Sequence, residues 1–73
     1  MDIVLTEHAR YKLQTRPTSA TKVREAVDLA LRDRSKMTPV AGTADTFSIS
    51  VDGGLRIVVK IEGSQVTIMT VIQ

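Results

Sequence analysis

Hydrophobic positions along the chain change their spacing near residue 45, from a helical period to a strand period. A short apolar segment, Asp2–Leu5, comes first and predicts a strand. Two helical stripes follow, and from Asp45 onward apolar and polar residues alternate in three runs. The pattern predicts one α+β domain with the order β-α-α-β-β-β, in which the two N-terminal helices pack on one face of an antiparallel sheet.

Both predicted helices carry capping residues at their N-termini. Thr6 is a good N-cap for the first helix, and Pro17 ends that helix near Thr15. Ser19 caps the second helix, which should stop near Arg32–Asp33 because the next turn would bring a charge into its stripe. That stripe covers roughly 140° of the helical wheel and consists of Ala20, Val23, Ala26, Val27, Ala30 and Leu31.

The segment after the second helix is ambiguous. Lys36–Ala44 contains Pro39 and Gly42, which suit either an edge strand or an irregular loop. Two turns then set the register of the three later strands. A three-residue loop at 52–54 pairs Val51 with Leu55, Ile49 with Ile57 and Phe47 with Val59.

The second turn, Gly63-Ser64, suits a type II′ hairpin because glycine stands at its first position. It predicts the pairs Ile61–Val66, Val59–Ile68, Ile57–Thr70 and Leu55–Ile72. In this register Val58, Met69 and Val71 lie on the face away from the helices, where they form an apolar strip. We expect that strip to be an interface with a second copy of the chain or with another protein, unless a terminal tail or Lys36–Ala44 lies across it.

Length and composition narrow the functional classes. A chain of 73 residues makes one domain, 1–73, and such a chain buries only ~60 % of its unfolded surface, which favours pairing with another chain. It has no cysteine, one histidine and eight carboxylates, so neither a metal site nor a cofactor is expected. The N-terminus has no apolar run typical of a signal peptide, and no run is long enough to span a bilayer, so a cytoplasmic location is expected.

Positive charge is concentrated in the helical half. Thr6–Lys36 has eight basic and four acidic residues, a net charge of +4, whereas the whole chain carries +2. A basic helix of this kind is a candidate for binding RNA or an acidic partner. The candidate contact residues are Arg10, Lys12 and Arg16 on the first helix and Arg56 and Lys60 on the sheet.

The N-terminal third resembles the start of small domains of the BrnT and RelE toxin families. The residues that carry the resemblance are His8-Ala9, Lys12, Leu13, Arg16, Ser19 and Val23. The likeness runs from Ile3 to Ile72, apart from Lys36–Ala44. It implies a RelE/BrnT-like fold, an antitoxin or another protein as partner, and RNA cleavage as a candidate activity.

Cleavage of RNA through its 2′-hydroxyl needs a general base, a general acid and cations for the developing charge. Histidine is the residue type whose unperturbed pKa is near neutrality, and His8 is the one histidine of the chain. His8 is therefore the candidate catalytic residue, although a structural role in the first helical turn competes. The final strand ends Val71-Ile72-Gln73, without the Tyr or His that active relatives often carry. We therefore favour an interaction module, either catalytically inactive or RNA-binding, with a toxin–antitoxin ribonuclease as the alternative.

Overall fold

The computed structural model describes residues 2–15, 18–51 and 54–72. Its elements, in chain order, are β1 (Asp2–Leu5), α1 (Glu7–Gln14), α2 (Ala20–Arg32), a single 3-10 turn (Arg34–Lys36), β2 (Met37–Pro39), β3 (Thr46–Val51), β4 (Leu55–Glu62) and β5 (Gln65–Ile72). The predicted α+β class is confirmed, with β2 as one strand more than the predicted order.

The five strands form one sheet in the order β1-β5-β4-β3-β2. Strands β3 to β5 pair antiparallel, as predicted, and β2 pairs antiparallel with β3. Strand β1 pairs parallel with β5, so the sheet is mixed and not the antiparallel sheet that was predicted. The ambiguous segment supplies the edge strand β2, whose Pro39 pairs with Phe47. Proline is tolerated there because an edge strand needs hydrogen-bond donors on one side only.

Capping places the two helices where the sequence predicts them. The Ala9 N–H donates to Thr6 Oγ1 at 3.0 Å, and the Lys22 N–H donates to Ser19 Oγ at 3.2 Å. Each bond satisfies one backbone donor that the first turn of a helix leaves free. Helix α1 ends at Gln14, with Thr15 as its C-cap, and α2 ends at Arg32. The predicted stop at Pro17 lies outside the described residues.

The core lies between the helices and one face of the sheet. Helix α2 contributes Val23, Val27 and Ala30, all almost completely buried, and α1 contributes Ala9. The sheet supplies mainly β-branched residues to the same cluster: Ile49, Ile57, Val59, Val66, Ile68 and Val71. The prediction that the helices cover the face carrying Ile49, Val59 and Ile68 is therefore confirmed, and Phe47 packs against this cluster while half-buried.

The register of the two hairpins agrees with the prediction near both turns. Val51 pairs with Leu55, and Ile61 pairs with Val66. Gly63 has φ +58°, as the first position of a type II′ turn requires, and glycine adopts that conformation without strain.

Beyond Ile68 the predicted register is wrong. A β-bulge places Met69 as an extra residue, so Val58 pairs with Thr70, Ile57 with Val71 and Arg56 with Ile72. The one-residue shift turns Val71 onto the helix-facing side, where it is fully buried, and turns Ile72 outward. Val71 therefore does not belong to the outer face of the sheet.

Candidate functional site

The sheet face opposite the helices, here called the open sheet face, is rich in hydroxyl groups. These side chains alternate along the strands with the buried ones, so the pleat turns them outward. They share rows across the sheet with two cations, since Thr46 and Thr67 flank Lys60, and Ser50 lies beside Arg56. The hydroxyl-bearing residues of this face are Thr38, Thr46, Ser48, Ser50, Thr67 and Thr70.

An apolar strip crosses this face, with a membership different from the predicted one. Val58 and Met69 lie on it as predicted, Val71 does not, and Val4 and Ile72 replace it. Val4 and Met69 are each 40 % exposed and Ile72 is 47 % exposed, which is high for large apolar side chains within strands. From here on, the strip means Val4, Val58, Met69 and Ile72.

The bulge that brings Met69 onto the strip is held from the N-terminal side. The Thr6 hydroxyl donates to the Met69 carbonyl at 3.0 Å, and the Thr6 N–H donates to the Ile68 carbonyl at 3.2 Å. Because Thr6 is also the N-cap of α1, one residue connects the end of β1, the start of α1 and the bulge. The position of Met69 on the outer face is thereby tied to the helix layer.

The two cations of the open sheet face differ in their surroundings. Lys60 Nζ lies 3.7 Å from Glu62 Oε1, and both side chains are partly exposed to solvent. Arg56 is exposed and makes no ion pair or hydrogen bond with any residue in the described ranges. Arg56 is therefore the cation on this face that is free to contact a ligand.

The other predicted site residues lie in a different layer. His8, Arg10 and Lys12 are on α1, whose buried residue Ala9 faces the core side of the sheet. Arg56 and Lys60 lie on the opposite side of that sheet, so the structure does not bring the candidate acid–base residue together with the sheet cations. The prediction for Arg16 falls outside the described residues.

A cleft between α1 and α2, here called the interhelix cleft, was not predicted. It has a volume of about 340 Å³ and is lined by Leu5, Arg10, Leu13, Gln14, Thr18, Ser19, Ala20 and Arg24. One sequence signal pointed toward it. The first turn of α2 contains no acidic residue, so no side chain of its own balances the positive end of the helix dipole.

Within the described part of the chain, no three His, Asp or Glu side chains lie close enough together to hold a metal ion. Over the same residues, neither helix has the length and apolar character needed to cross a membrane. Asp33 has a lowered pKa because its carboxylate accepts hydrogen bonds from the Ser35 hydroxyl and backbone N–H, which stabilise the charged form. Asp33 caps the 3-10 turn, and this shift belongs to that turn and not to a site.

The order of the elements and the sheet topology define a RelE-like fold, and the match to a solved toxin supports a RelE-like toxin-superfamily domain. The chain is similar to a chain in the solved toxin–antitoxin complex RelBE2 from Mycobacterium tuberculosis. The match covers 96 % of this chain and 93 % of the toxin chain, with 25 % sequence identity and a TM-score of 0.67. No protein-family model and no curated protein matches the chain. The predicted resemblance to RelE is thus confirmed, and the part that concerns BrnT stays a prediction.

Proposed function

We propose that this domain is a partner-binding relative of the RelE-like toxins, which acts by holding an antitoxin-like protein against its open sheet face. The observation that carries the proposal is the strip of Val4, Val58, Met69 and Ile72, which lies outside the core on the face that the helices leave uncovered. Exposed apolar patches with a polar rim are typical of protein–protein interfaces. The similar solved structure is itself a toxin–antitoxin complex, which supports a partner of this kind.

The arrangement of the open sheet face fits such an interface. Its centre is apolar, and its surroundings consist of short hydroxyl side chains that lose little conformational freedom when they are covered. Arg56 at the rim makes no ion pair with a residue in the described ranges, so an acidic partner group would meet an available guanidinium. These features favour a protein whose contact segment combines apolar and acidic side chains.

The ribonuclease alternative has less support from this geometry. His8 lies in the helix layer, and the open-face residues named above include neither histidine nor tyrosine. A cleaving site on that face would have to rely on Lys60, whose ammonium group is near Glu62. Binding of RNA without cleavage is the second candidate, because Arg56, Lys60 and the hydroxyl groups can all contact a phosphate backbone.

The test uses the product of the open reading frame next to this gene, co-expressed with the chain and analysed by size exclusion with light scattering. We expect a defined complex that Val58→Lys with Met69→Lys disrupts while the chain stays folded. The matched control is Tyr11→Lys with Leu29→Lys, which makes the same change at two exposed residues of the helix layer and should leave the complex intact. A sheet variant that still binds, or a control that loses binding equally, would contradict the proposal.

Two further measurements separate the alternatives. A labelled single-stranded RNA that binds the wild type with a steep salt dependence, and fails to bind Arg56→Gln with Lys60→Gln, would favour the RNA candidate. Cleavage of that RNA, with a loss of at least ~10²-fold in rate for His8→Ala, would establish the ribonuclease alternative. An active ribonuclease should also arrest its expression host in the absence of a neutralising partner, whereas a binding module should express freely.

A further inference from the structure

The interhelix cleft lies in the helix layer, away from the open sheet face. Its floor is apolar: Leu5 is only 6 % exposed and Leu13 packs against the core. Its volume of about 340 Å³ is at the small end of the range for ligand pockets. A single large apolar side chain is therefore the kind of group that this space can take.

Two arginines border this apolar floor from different helices. Arg10 comes from α1 and Arg24 from α2, and both are exposed. Neither arginine makes an ion pair with an acidic residue in the described ranges. On α2, Asp28 forms its ion pair with Arg32, at 3.2 Å. The cleft thus combines an apolar floor with two guanidinium groups that lack a counter-charge from the described residues.

The start of α2 adds to this positive field. Ser19 and Ala20 line the cleft, and Ser19 Oγ accepts the Lys22 N–H. The first turn of a helix has further backbone N–H groups that the helix itself does not pair. No acidic residue stands in that first turn. The dipole of a 13-residue helix therefore favours an anion at this end, in addition to the two arginines.

We propose that the interhelix cleft binds an acidic segment of a protein partner, in which an apolar side chain inserts over Leu13 and a neighbouring carboxylate lies between Arg10 and Arg24. A guanidinium binds a carboxylate through two parallel hydrogen bonds, a geometry that a flexible ammonium group does not offer. RNA fits less well, because the described residues that line the cleft include no aromatic side chain on which a base could stack. This site is separate from the open sheet face and does not depend on the function proposed for that face.

The test is an NMR titration of the ¹⁵N-labelled chain with two short peptides. The acidic probe is acetyl-Leu-Glu-Leu-Glu-amide, and the neutral probe replaces each glutamate by glutamine. We expect the acidic probe to shift the amide signals of Leu13, Ser19, Ala20 and Arg24. The affinity for the neutral probe should be at least about tenfold lower, since a hydrogen bond to a charged group contributes roughly that factor.

Variants assign the effect to the cleft. Arg10→Gln and Arg24→Gln should each weaken binding of the acidic probe about tenfold. Lys22→Gln is the matched control, because it removes the same charge from the same end of α2 but does not line the cleft. Both arginines are exposed, so the variants should fold, and their spectra report this directly. Val58→Lys with Met69→Lys should bind the probe like the wild type, which separates this test from that of the open sheet face.

Three results would overturn the proposal. Equal weakening by Lys22→Gln and Arg24→Gln would mean that only the general positive charge attracts the probe. Equal binding of the neutral probe would remove the role of the arginines. Identical shifts and affinity with inorganic phosphate would reduce the cleft to an anion site without a preference for a peptide segment.

Discussion

Replacement of Val27 by aspartate should unfold the domain. Val27 is completely buried at the centre of the α2 stripe, among side chains of the core cluster. Aspartate removes two methyl-sized groups, a transfer loss of about 1.6 kcal/mol at ~0.8 kcal/mol each. It also places a carboxylate in a site without a partner, which costs several kcal/mol more. A core in a chain of this length supplies only about 3–5 kcal/mol of net stability, so the sum exceeds what the fold can absorb.

Two matched variants make the test quantitative. Val27→Ala removes the methyl groups without adding charge and should lower the free energy of unfolding by roughly 2 kcal/mol. Leu29→Asp adds the same carboxylate two residues away, where the side chain is 56 % exposed, and should change stability by no more than about 0.5 kcal/mol. Urea denaturation followed by circular dichroism measures all three variants. If Val27→Asp unfolds cooperatively at a urea concentration close to the wild-type midpoint, the assignment of this face to the core is refuted.

Three further changes test the bulge, the helix cap and the 3-10 turn. Deletion of Met69 should leave a folded domain in which the Val71 amide stays protected from hydrogen exchange, because the deletion only restores regular pairing between β4 and β5. Loss of that protection would contradict the observed register. Thr6→Ala should lower the free energy of unfolding by about 1–2 kcal/mol in urea denaturation, since it removes the N-cap of α1 and the hydroxyl bond to the bulge, while Thr6→Ser should retain most of it. Ser35→Ala should raise the pKa of Asp33 toward its ordinary value of 3.8 in an NMR titration. Because the folded-state pKa of Asp33 is lowered, the stability that Asp33 contributes is present above pH 3.8 and is lost as pH falls through its folded-state pKa. An unchanged Asp33 pKa in Ser35→Ala would count against the Ser35 hydrogen bonds as the cause of the shift.

The helix boundaries could be predicted because they depend on local chemistry. Thr6 and Ser19 satisfy backbone donors within three residues of themselves, so the signal for each cap lies entirely in neighbouring sequence. The hairpin turns are equally local, and the register is correct next to each of them. The parallel pairing of β1 with β5 has no such signal, because it joins opposite ends of the chain.

The bulge could not be predicted for a different reason. Beyond Ile68 the last strand is apolar at Val71 and Ile72 on alternate sides, so hydrophobic periodicity does not decide which of them enters the core. The bulge at Met69 selects Val71, and it is held by Thr6, more than sixty residues away in sequence. The interhelix cleft was missed because Arg10 and Arg24 come together only through the packing of two helices.

The parallel pairing of β1 and β5 has a consequence for the order of folding. The hairpin of β4 and β5 closes across two residues, whereas Asp2 and Gln65 are 63 residues apart. That is about five doublings of loop length, at ~0.6 kcal/mol of closure entropy each, or roughly 3 kcal/mol in total. We expect the β3-β4-β5 meander to form first and β1 to dock late, so that β1 exchanges its amide hydrogens through partial opening while the meander stays closed.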